Sequence, residues 1–470
     1  MSKINPLVKG TEKFDSEKLA GGSGMNAAKQ DNLSLLKRCV LANLLWEKVA
    51  YMDGQKVSDE IKRLIPLCKP EDVYNLALEA RTKQKLRHTP LFIAVNMLKH
   101  EKHKTLVEDL LPKIITRADM LTDFVALYSL ENSNKIKPLA SAAKRGLAKS
   151  FENFNEYQFA KYDRNSGIKL RDVMFLVHPV ASQGKTELYK KIADRNLDVP
   201  DTWEVALSTG KDKKETWERL ITEGKIGGLS MLRNIANMRK ADVSRKIIDL
   251  GLSKLNSLML LPLDFLKSAK MNPEFERQIE DAMIRSYANL PKLPGKTLFV
   301  VDVSGSMGSL TSGQSEFARL DQACAMAMLA VNQCEDYEIV ITAGSDGMGQ
   351  HKTKQIKYPK KGFDLFKQLT EDRLGGGGIF TRQCLEWCKE NVSDKFDRIV
   401  IFSDSQDCDR VNAIPKPFGK YNYICDVSAH TKGVNFKGVW SAEISGWSEH
   451  FLTYIAAFEG IENKFQEQDI

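Results

Sequence analysis

The chain has 470 residues and a formal net charge of +8, with 42% hydrophobic and 28% charged residues, which indicates a globular protein of two or three domains. It has no run of about 18 apolar residues and no apolar N-terminal segment, so we predict neither a transmembrane helix nor a secretory signal. Its eight cysteines include no CxxC pair and exclude a disulfide scaffold, so we expect reduced thiols and a cytoplasmic location.

Residues 1–30 predict a flexible N-terminal arm, because Gly21-Gly22-Ser23-Gly24 lies among polar residues. From residue 31 to 294 apolar side chains recur at helical spacing, and prolines, Pro112 among them, separate helices of about 10–18 residues. Gly251 follows one such pattern and predicts a helix stop. A long series of helices is typical of stacked helix pairs. Because no strict sequence repeat occurs, a compact all-α bundle remains the alternative.

Two basic stretches lie in this helical part. In residues 144–179 cations alternate with aromatic residues, a pattern that can neutralise phosphates and stack unpaired bases, although Phe151, Phe154 and Phe159 are expected in the core. The second stretch runs from Arg81 to Lys104, and a solvated helix end explains it as well as a binding patch does.

The border between the domains is predicted at Pro291-Lys292-Leu293-Pro294-Gly295-Lys296, where two prolines and a glycine end any helix. The charge changes there as well. Residues 1–296 have 51 Lys+Arg against 37 Asp+Glu, a balance of +14, and residues 297–470 have 18 against 24, a balance of −6. The basic surplus suggests a polyanionic partner, with nucleic acid first, or else a well-solvated lysine-rich surface.

Residues 295–470 predict an α/β domain. Short apolar runs at 297–301, 337–342, 398–402 and 421–427 are typical of buried parallel strands, and helical patterns at 317–332 and 382–389 separate them. This alternation predicts a doubly wound sheet, which binds ligands at the carboxyl ends of its strands.

Three segments place oxygen donors at that edge of the predicted sheet. Asp302, Ser304 and Ser306 follow the first strand, Thr381 follows the glycine run 375–378, and Asp404 follows the strand at 398–402. Such hard ligands suit an octahedral Mg²⁺ or Mn²⁺. No histidine or lysine base is adjacent in sequence, so we predict no catalytic site and no enzyme activity.

This DxSxS motif, with its later threonine and aspartate, resembles the metal-ion-dependent adhesion site of von Willebrand factor A domains. In that family the serines and the threonine contact the metal, and the aspartates act directly or through water. The resemblance assigns these roles to Asp302, Ser304, Ser306, Thr381 and Asp404, and it implies that an acidic group of a protein partner completes the coordination.

The segment from Lys161 to Pro179 and the order of the domains resemble the Ro ribonucleoprotein (TROVE) family. There a ring of HEAT-like helical repeats is closed by a von Willebrand factor A domain. The resemblance covers roughly residues 30–460 and implies RNA-contacting roles for Lys161, Arg164, Arg171 and His178.

The resemblance also implies RNA partners: small non-coding RNA of the Y type and single-stranded 3′ ends of misfolded RNA, with an exoribonuclease as a protein partner. We therefore predict a non-catalytic, monomeric RNA-binding protein with no membrane partner. The alternative is a metal-dependent protein–protein adaptor on a helical solenoid. The basic charge of the helical domain favours the first interpretation, since an adaptor does not need it.

Overall fold

The structure is a computed structural model that divides into two compact units. One unit is 59–254, and the other joins the described parts of 1–58 and 255–470. The predicted arm over residues 1–30 lies outside the described residues, which are 31–41, 54–133, 136, 138–163, 167–208, 212–257, 260–311, 315–409, 418–427, 440–445 and 449–461.

Helices form the regular structure of the described chain before Leu293, as the apolar spacing predicts, apart from three short 3₁₀ turns. They are, in chain order, α1 (Asn32–Leu41), α2 (Gly54–Leu64), α3 (Pro70–Thr82), α4 (His88–Met97), α5 (Glu101–Ile114), α6 (Asp119–Glu131), α7 (Ser141–Ser150), α8 (Glu156–Tyr162), α9 (Leu170–Val177), α10 (Thr186–Asp194), α11 (Trp203–Ser208), α12 (Lys213–Thr222), α13 (Gly228–Lys240), α14 (Arg245–Ser253), α15 (Pro262–Met271) and α16 (Glu276–Ser286).

Helices two places apart in the chain pack on each other within unit 59–254. Helix α3 packs on α5 and α5 on α7, while α4 packs on α6. Helix α4 also contacts α3 and α5, so the helices form two rows that share one apolar interior. This is how stacked helix pairs bury their faces, and it favours the stacked repeat over the compact bundle.

Polar contacts at a nearly constant sequence separation of 35–37 residues join successive helices of the stack. The bonded partners differ from one contact to the next, so the spatial repeat leaves no repeat in the sequence. The contacts join Tyr74 to Asp109, Arg81 to Thr116, Cys68 to His103, Arg87 to Asp123, Glu152 to Tyr189 and Glu156 to Lys191.

Two predicted helix breaks are wrong. Gly251 lies inside α14, which continues to Ser253, and a Cβ atom there would lie 2.7 Å from the sulfur of Met231. This glycine therefore serves close packing between helices and does not end α14. Pro112 also lies inside a helix, in the last turn of α5, and the helix continues past it to Ile114.

The remaining elements form the predicted doubly wound sheet. Its order is β3-β2-β1-β4-β5-β6, and all neighbours are parallel except the edge strand β3. All four strands predicted from sequence are confirmed, whereas β3 and β6 were not predicted. The elements are β1 (Leu293–Asp302), α17 (Arg319–Val331), β2 (Cys334–Ser345), β3 (Gln350–Gln355), α18 (Gly362–Glu371), α19 (Thr381–Asn391), β4 (Phe396–Ser403), β5 (Gly419–Asp426), β6 (Ala442–Ser445) and α20 (His450–Phe458).

The compact units divide at 58/59 and at 254/255, whereas the border predicted from the sequence lies at 294/295. Helices α15 and α16 pack with the α/β elements: α15 contacts α17, and Glu280 of α16 accepts a hydrogen bond from the backbone N–H of Phe363 at 2.8 Å. Glu276 pairs with Lys367 at 2.7 Å. The change from helix to strand still occurs at Leu293. The change in secondary structure and the division between the compact units therefore lie at different places in the chain.

Candidate metal centre and candidate RNA-binding surface

The first loop of the candidate metal centre leaves the sheet at Asp302, the last residue of β1. Its carboxylate is fully buried, and Oδ1 accepts a hydrogen bond from the backbone N–H of Ser304 at 2.8 Å. A short 3₁₀ turn then begins, and the hydroxyl oxygens of Ser304 and Ser306 lie 3.2 Å apart. The side-chain oxygens of Asp302, Ser304 and Ser306 therefore lie close together in the loop after β1.

The second loop follows the neighbouring strand β4. Ser403, its last residue, donates a hydrogen bond from Oγ to Asp302 Oδ2 at 2.6 Å and so joins the two strand ends. Asp404 comes next and is fully buried. Burial, and next the charge of Asp404, raise the pKa of Asp302 to about 7. Two buried carboxyl groups this close resist simultaneous ionisation unless a cation compensates them.

The third loop is the glycine run before Thr381. The carbonyl oxygen of Gly377 accepts a hydrogen bond from the N–H of Gly305 at 3.1 Å, which locks the first and third loops together. Only glycine fits there: a Cβ on Gly305 would lie 2.2 Å from the carbonyl oxygen of Gly376, and one on Gly377 would lie 2.0 Å from that of Gly344.

Thr381 begins α19 and is 2% exposed. Its backbone N–H donates to Asp407 Oδ1 at 3.2 Å, but its buried hydroxyl oxygen has no hydrogen-bond partner. A buried polar group without a partner is costly, and contact with a water or an ion would satisfy it. Burial, and next the charge of Asp409, raise the pKa of Asp407 to about 7.

All five predicted residues lie at the carboxyl end of the sheet. The set offers two carboxylates and three hydroxyl groups, and this donor chemistry fits a small hard cation that keeps several waters. Within the described residues, no group of three or more histidines, cysteines or acidic residues could hold a metal, so a zinc-type site is not found there. The residues present therefore fit Mg²⁺ or Mn²⁺.

The sequence did not indicate one charged neighbour of this centre. Arg319, the first residue of α17, donates from Nη1 to Asp404 Oδ2 at 2.9 Å, and its side chain is 4% exposed. An arginine at the start of an apolar helix has no spacing signal that joins it to a strand end 85 residues later.

The candidate RNA-binding surface lies on unit 59–254, whose 36 Lys+Arg against 26 Asp+Glu give a balance of +10. Asn155 and Gln158 form a capping box that begins α8. In the last turn of this helix Nζ of Lys161 lies 5.8 Å from the ring of Tyr157 and 5.7 Å from that of Tyr162. Aromatic rings beside a cation are suited to stacking unpaired bases.

A second part of this surface lies on α9. The guanidinium of Arg171 lies 5.2 Å from the ring of Phe175, which is 49% exposed. His178 is exposed and ends the helix in a left-handed conformation with φ 51°. Arg171 and Phe175 follow i, i+4 spacing and therefore share one face of α9, whereas His178 lies just beyond the helix. Arg164 lies outside the described residues.

The other aromatic and basic residues mostly serve the core or ion pairs. Phe151, Phe154 and Phe159 are buried, as expected. In the second basic stretch Arg81 is 5% exposed, and burial, with the charges of Arg117 and Arg87, lowers its pKa to about 10. Others are held in pairs, which include Arg87 with Asp119 and Asp123, Lys99 with Glu131, and Lys104 with Glu101.

Sequence reasoning also missed Arg117. Its guanidinium lies 4.7 Å from the ring of Tyr162 and pairs with Asp119 at 2.7 Å. Arg117 reaches Tyr162 from a different part of the chain, so no local motif could have indicated it. Every helix in the described part of the chain is too short or too polar to span a bilayer.

Comparisons with known proteins give a family and a fold. The TROVE domain family matches residues 23–196 and 195–361. A segment of 56 residues is 39% identical to telomerase protein component 1 of Mus musculus, and it represents 12% of this chain and 2% of that protein. The crystal structure of the Deinococcus radiodurans RO (RSR) protein matches with a TM-score of 0.56 and 16% identity, over 92% of this chain and 100% of that one.

Proposed function

The chain belongs to the Ro ribonucleoprotein (TROVE) family, and from this premise we propose that it is a non-catalytic protein that binds RNA through unit 59–254. The observation that carries the proposal is the pairing of the half-buried cations Lys161 and Arg171 with exposed aromatic rings on α8 and α9, in the unit with the basic surplus. Lys161, Arg171 and His178 are the proposed contacts, together with Arg164. Purification at low salt, followed by the ratio of absorbance at 260 and 280 nm and sequencing of any bound RNA, tests it.

The proposed ligands are small non-coding RNA of the Y type and single-stranded 3′ ends of misfolded RNA. Single strands are favoured because aromatic faces stack only on bases that are unpaired. An exoribonuclease that processes the bound 3′ end is the proposed protein partner. Closure of the helical repeats into a ring on the α/β domain stays a prediction, and so does a cytoplasmic, monomeric protein.

The α/β domain is proposed to bind Mg²⁺ or Mn²⁺ through Asp302, Ser304, Ser306, Thr381 and Asp404. The unpartnered hydroxyl of Thr381 supports this proposal. A bound ion would supply a positive charge with an open position for an acidic group of a protein partner. The same site supports the alternative of a metal-dependent adaptor, and a protein that binds the ion but no RNA would favour that alternative.

A further inference from the structure

The ion pair between Arg319 and Asp404 is among the most deeply buried in the described chain. Its two side chains are 4% and 0% exposed, and Nη1 lies 2.9 Å from Oδ2. The backbone also holds the pair in place: the N–H of Arg319 donates to the carbonyl oxygen of Ser309 at 3.0 Å, in the loop that follows Ser306. Arg319 therefore bridges the first loop of the metal centre to the second.

Charge compensation is what this centre needs. Asp302 ends β1 and Asp404 follows the neighbouring strand β4, and both carboxyl groups are fully buried. A buried carboxylate without a compensating charge strongly destabilises a fold. The guanidinium supplies one positive charge without any bound ion, so the loops can hold their arrangement before an ion arrives.

The same guanidinium opposes the ion. It donates to Oδ2 of Asp404, one of the proposed ligands, and so places a positive charge beside the proposed cation site. We expect that removing this charge tightens cation binding, because a guanidinium beside the site repels a doubly charged ion.

We propose that Arg319 is the affinity-determining residue of the cation site: it acts as a built-in counter-ion that holds Asp404 before the ion binds and then competes with the ion. The inference rests on the cation site proposed above. Arg319 is a positioning residue, since it acts through Asp404. Its role makes cation binding weaker and more readily reversible than the donor set alone would make it.

The test uses the full chain in three forms: wild type, Arg319→Gln, which keeps a hydrogen-bond donor but no charge, and Arg319→Lys, which keeps the charge. Titration calorimetry with Mg²⁺ and with Mn²⁺ gives the affinities, and thermal unfolding is measured with a chelator and with saturating ion. We expect at least tenfold tighter binding by Arg319→Gln, binding by Arg319→Lys within threefold of wild type, and a larger rise in Tm on adding ion to Arg319→Gln.

The outcomes separate this inference from the proposed site. If wild type binds the ion and folded Arg319→Gln binds it equally or more weakly, Arg319 is only structural and the inference fails. If only Arg319→Gln binds, the inference stands and ion binding by the wild type is refuted. If neither binds, both fail. Should Arg319→Gln not fold with the chelator, recovery of folded protein by Mn²⁺ but not by KCl of equal ionic strength supports the inference, and no recovery overturns it.

Discussion

The Nε2 atom of His103 lies 3.2 Å from the carbonyl oxygen of Cys68, 35 residues earlier in the chain. This contact belongs to the series of bonds that tie one helix pair to the next at separations of 35–37 residues. His103 is 2% exposed, so its imidazole serves the interior of the repeat stack. A histidine within a basic stretch is therefore a packing residue and not part of a binding surface.

Replacing His103 by alanine should destabilise unit 59–254 by about 1–3 kcal/mol, because a buried hydrogen bond is lost and its carbonyl partner loses a contact. Urea unfolding followed by circular dichroism measures the change. Lys102→Ala is the matched control, because Lys102 is exposed whereas the adjacent His103 is buried. This variant should change the free energy of unfolding by less than about 0.5 kcal/mol. RNA affinity should stay unchanged in both variants, and a tenfold loss in either would place RNA on this stretch.

The loops of the metal centre depend on glycine at Gly305. We expect Gly305→Ala to destabilise the α/β domain and to weaken Mn²⁺ binding together, because the added Cβ would lie 2.2 Å from a backbone oxygen that cannot move freely. Gly347→Ala, where a Cβ meets nothing within 4 Å, is the control and should change neither property. Thermal unfolding and calorimetry on both variants check this, and equal behaviour of the two would show that the loops do not pack as described.

The sequence predicts those parts of the metal centre that lie close together in the chain or follow from the order of the strands. Asp302, Ser304 and Ser306 form a local motif after a strand, and the order of strands places Asp404 and Thr381 at the same edge. The contact from Arg319 could not be predicted, because it spans 85 residues and depends on how α17 packs. Tertiary packing also explains why the helix stop predicted at Gly251 is wrong. A glycine can end a helix, but it can also lie inside one where a neighbouring helix packs closely.

The predicted domain border and the division into compact units differ for a related reason. A border read from sequence marks where the local pattern changes from helix to strand. Compactness depends on which side chains pack together, and Glu276 and Glu280 of α16 bond to residues of α18 that are remote in sequence. No local feature of the helical segment predicts those partners.

Neutralising Asp302 without changing its shape tests the cation site directly. Asp302→Asn keeps an acceptor for the N–H of Ser304 but removes one of the two carboxylates, so the affinity for Mg²⁺ and Mn²⁺ should fall at least tenfold. Titration calorimetry gives the affinities. Asp394→Asn, an exposed acid before the start of β4, is the control and should bind as wild type does. Equal affinities in wild type and Asp302→Asn would refute the site.

The proposed RNA-binding surface predicts that the protein loses RNA affinity when the cations of this surface are removed. Lys161→Ala and Arg171→Ala together should weaken single-stranded RNA binding at least tenfold, at about 1 kcal/mol or more for each charged contact. Lys190→Ala removes an exposed lysine from α10 of the same unit and should have a much smaller effect. Filter binding at several salt concentrations checks both points. If about five phosphates are neutralised, the log–log slope should be near −3.5, and a flat response would favour the adaptor alternative.

The preference for single-stranded 3′ ends is tested with three forms of one hairpin: blunt, 3′-tailed and 5′-tailed. The tailed hairpin should bind far more tightly than the blunt one, because its unpaired bases can stack on rings such as Tyr157 and Phe175 while paired bases cannot. Competition at near-physiological salt measures the ratio of the affinities, because low salt would exaggerate the phosphate contacts that all forms of the hairpin share.

A hairpin with a 5′ tail of equal length and sequence composition is the control for charge and length. Equal binding of the 3′-tailed and 5′-tailed forms would support single-strand recognition without polarity. Equal binding of the tailed and blunt forms would contradict a single-strand site, and the RNA would then be expected to contact the protein through its duplex phosphates alone.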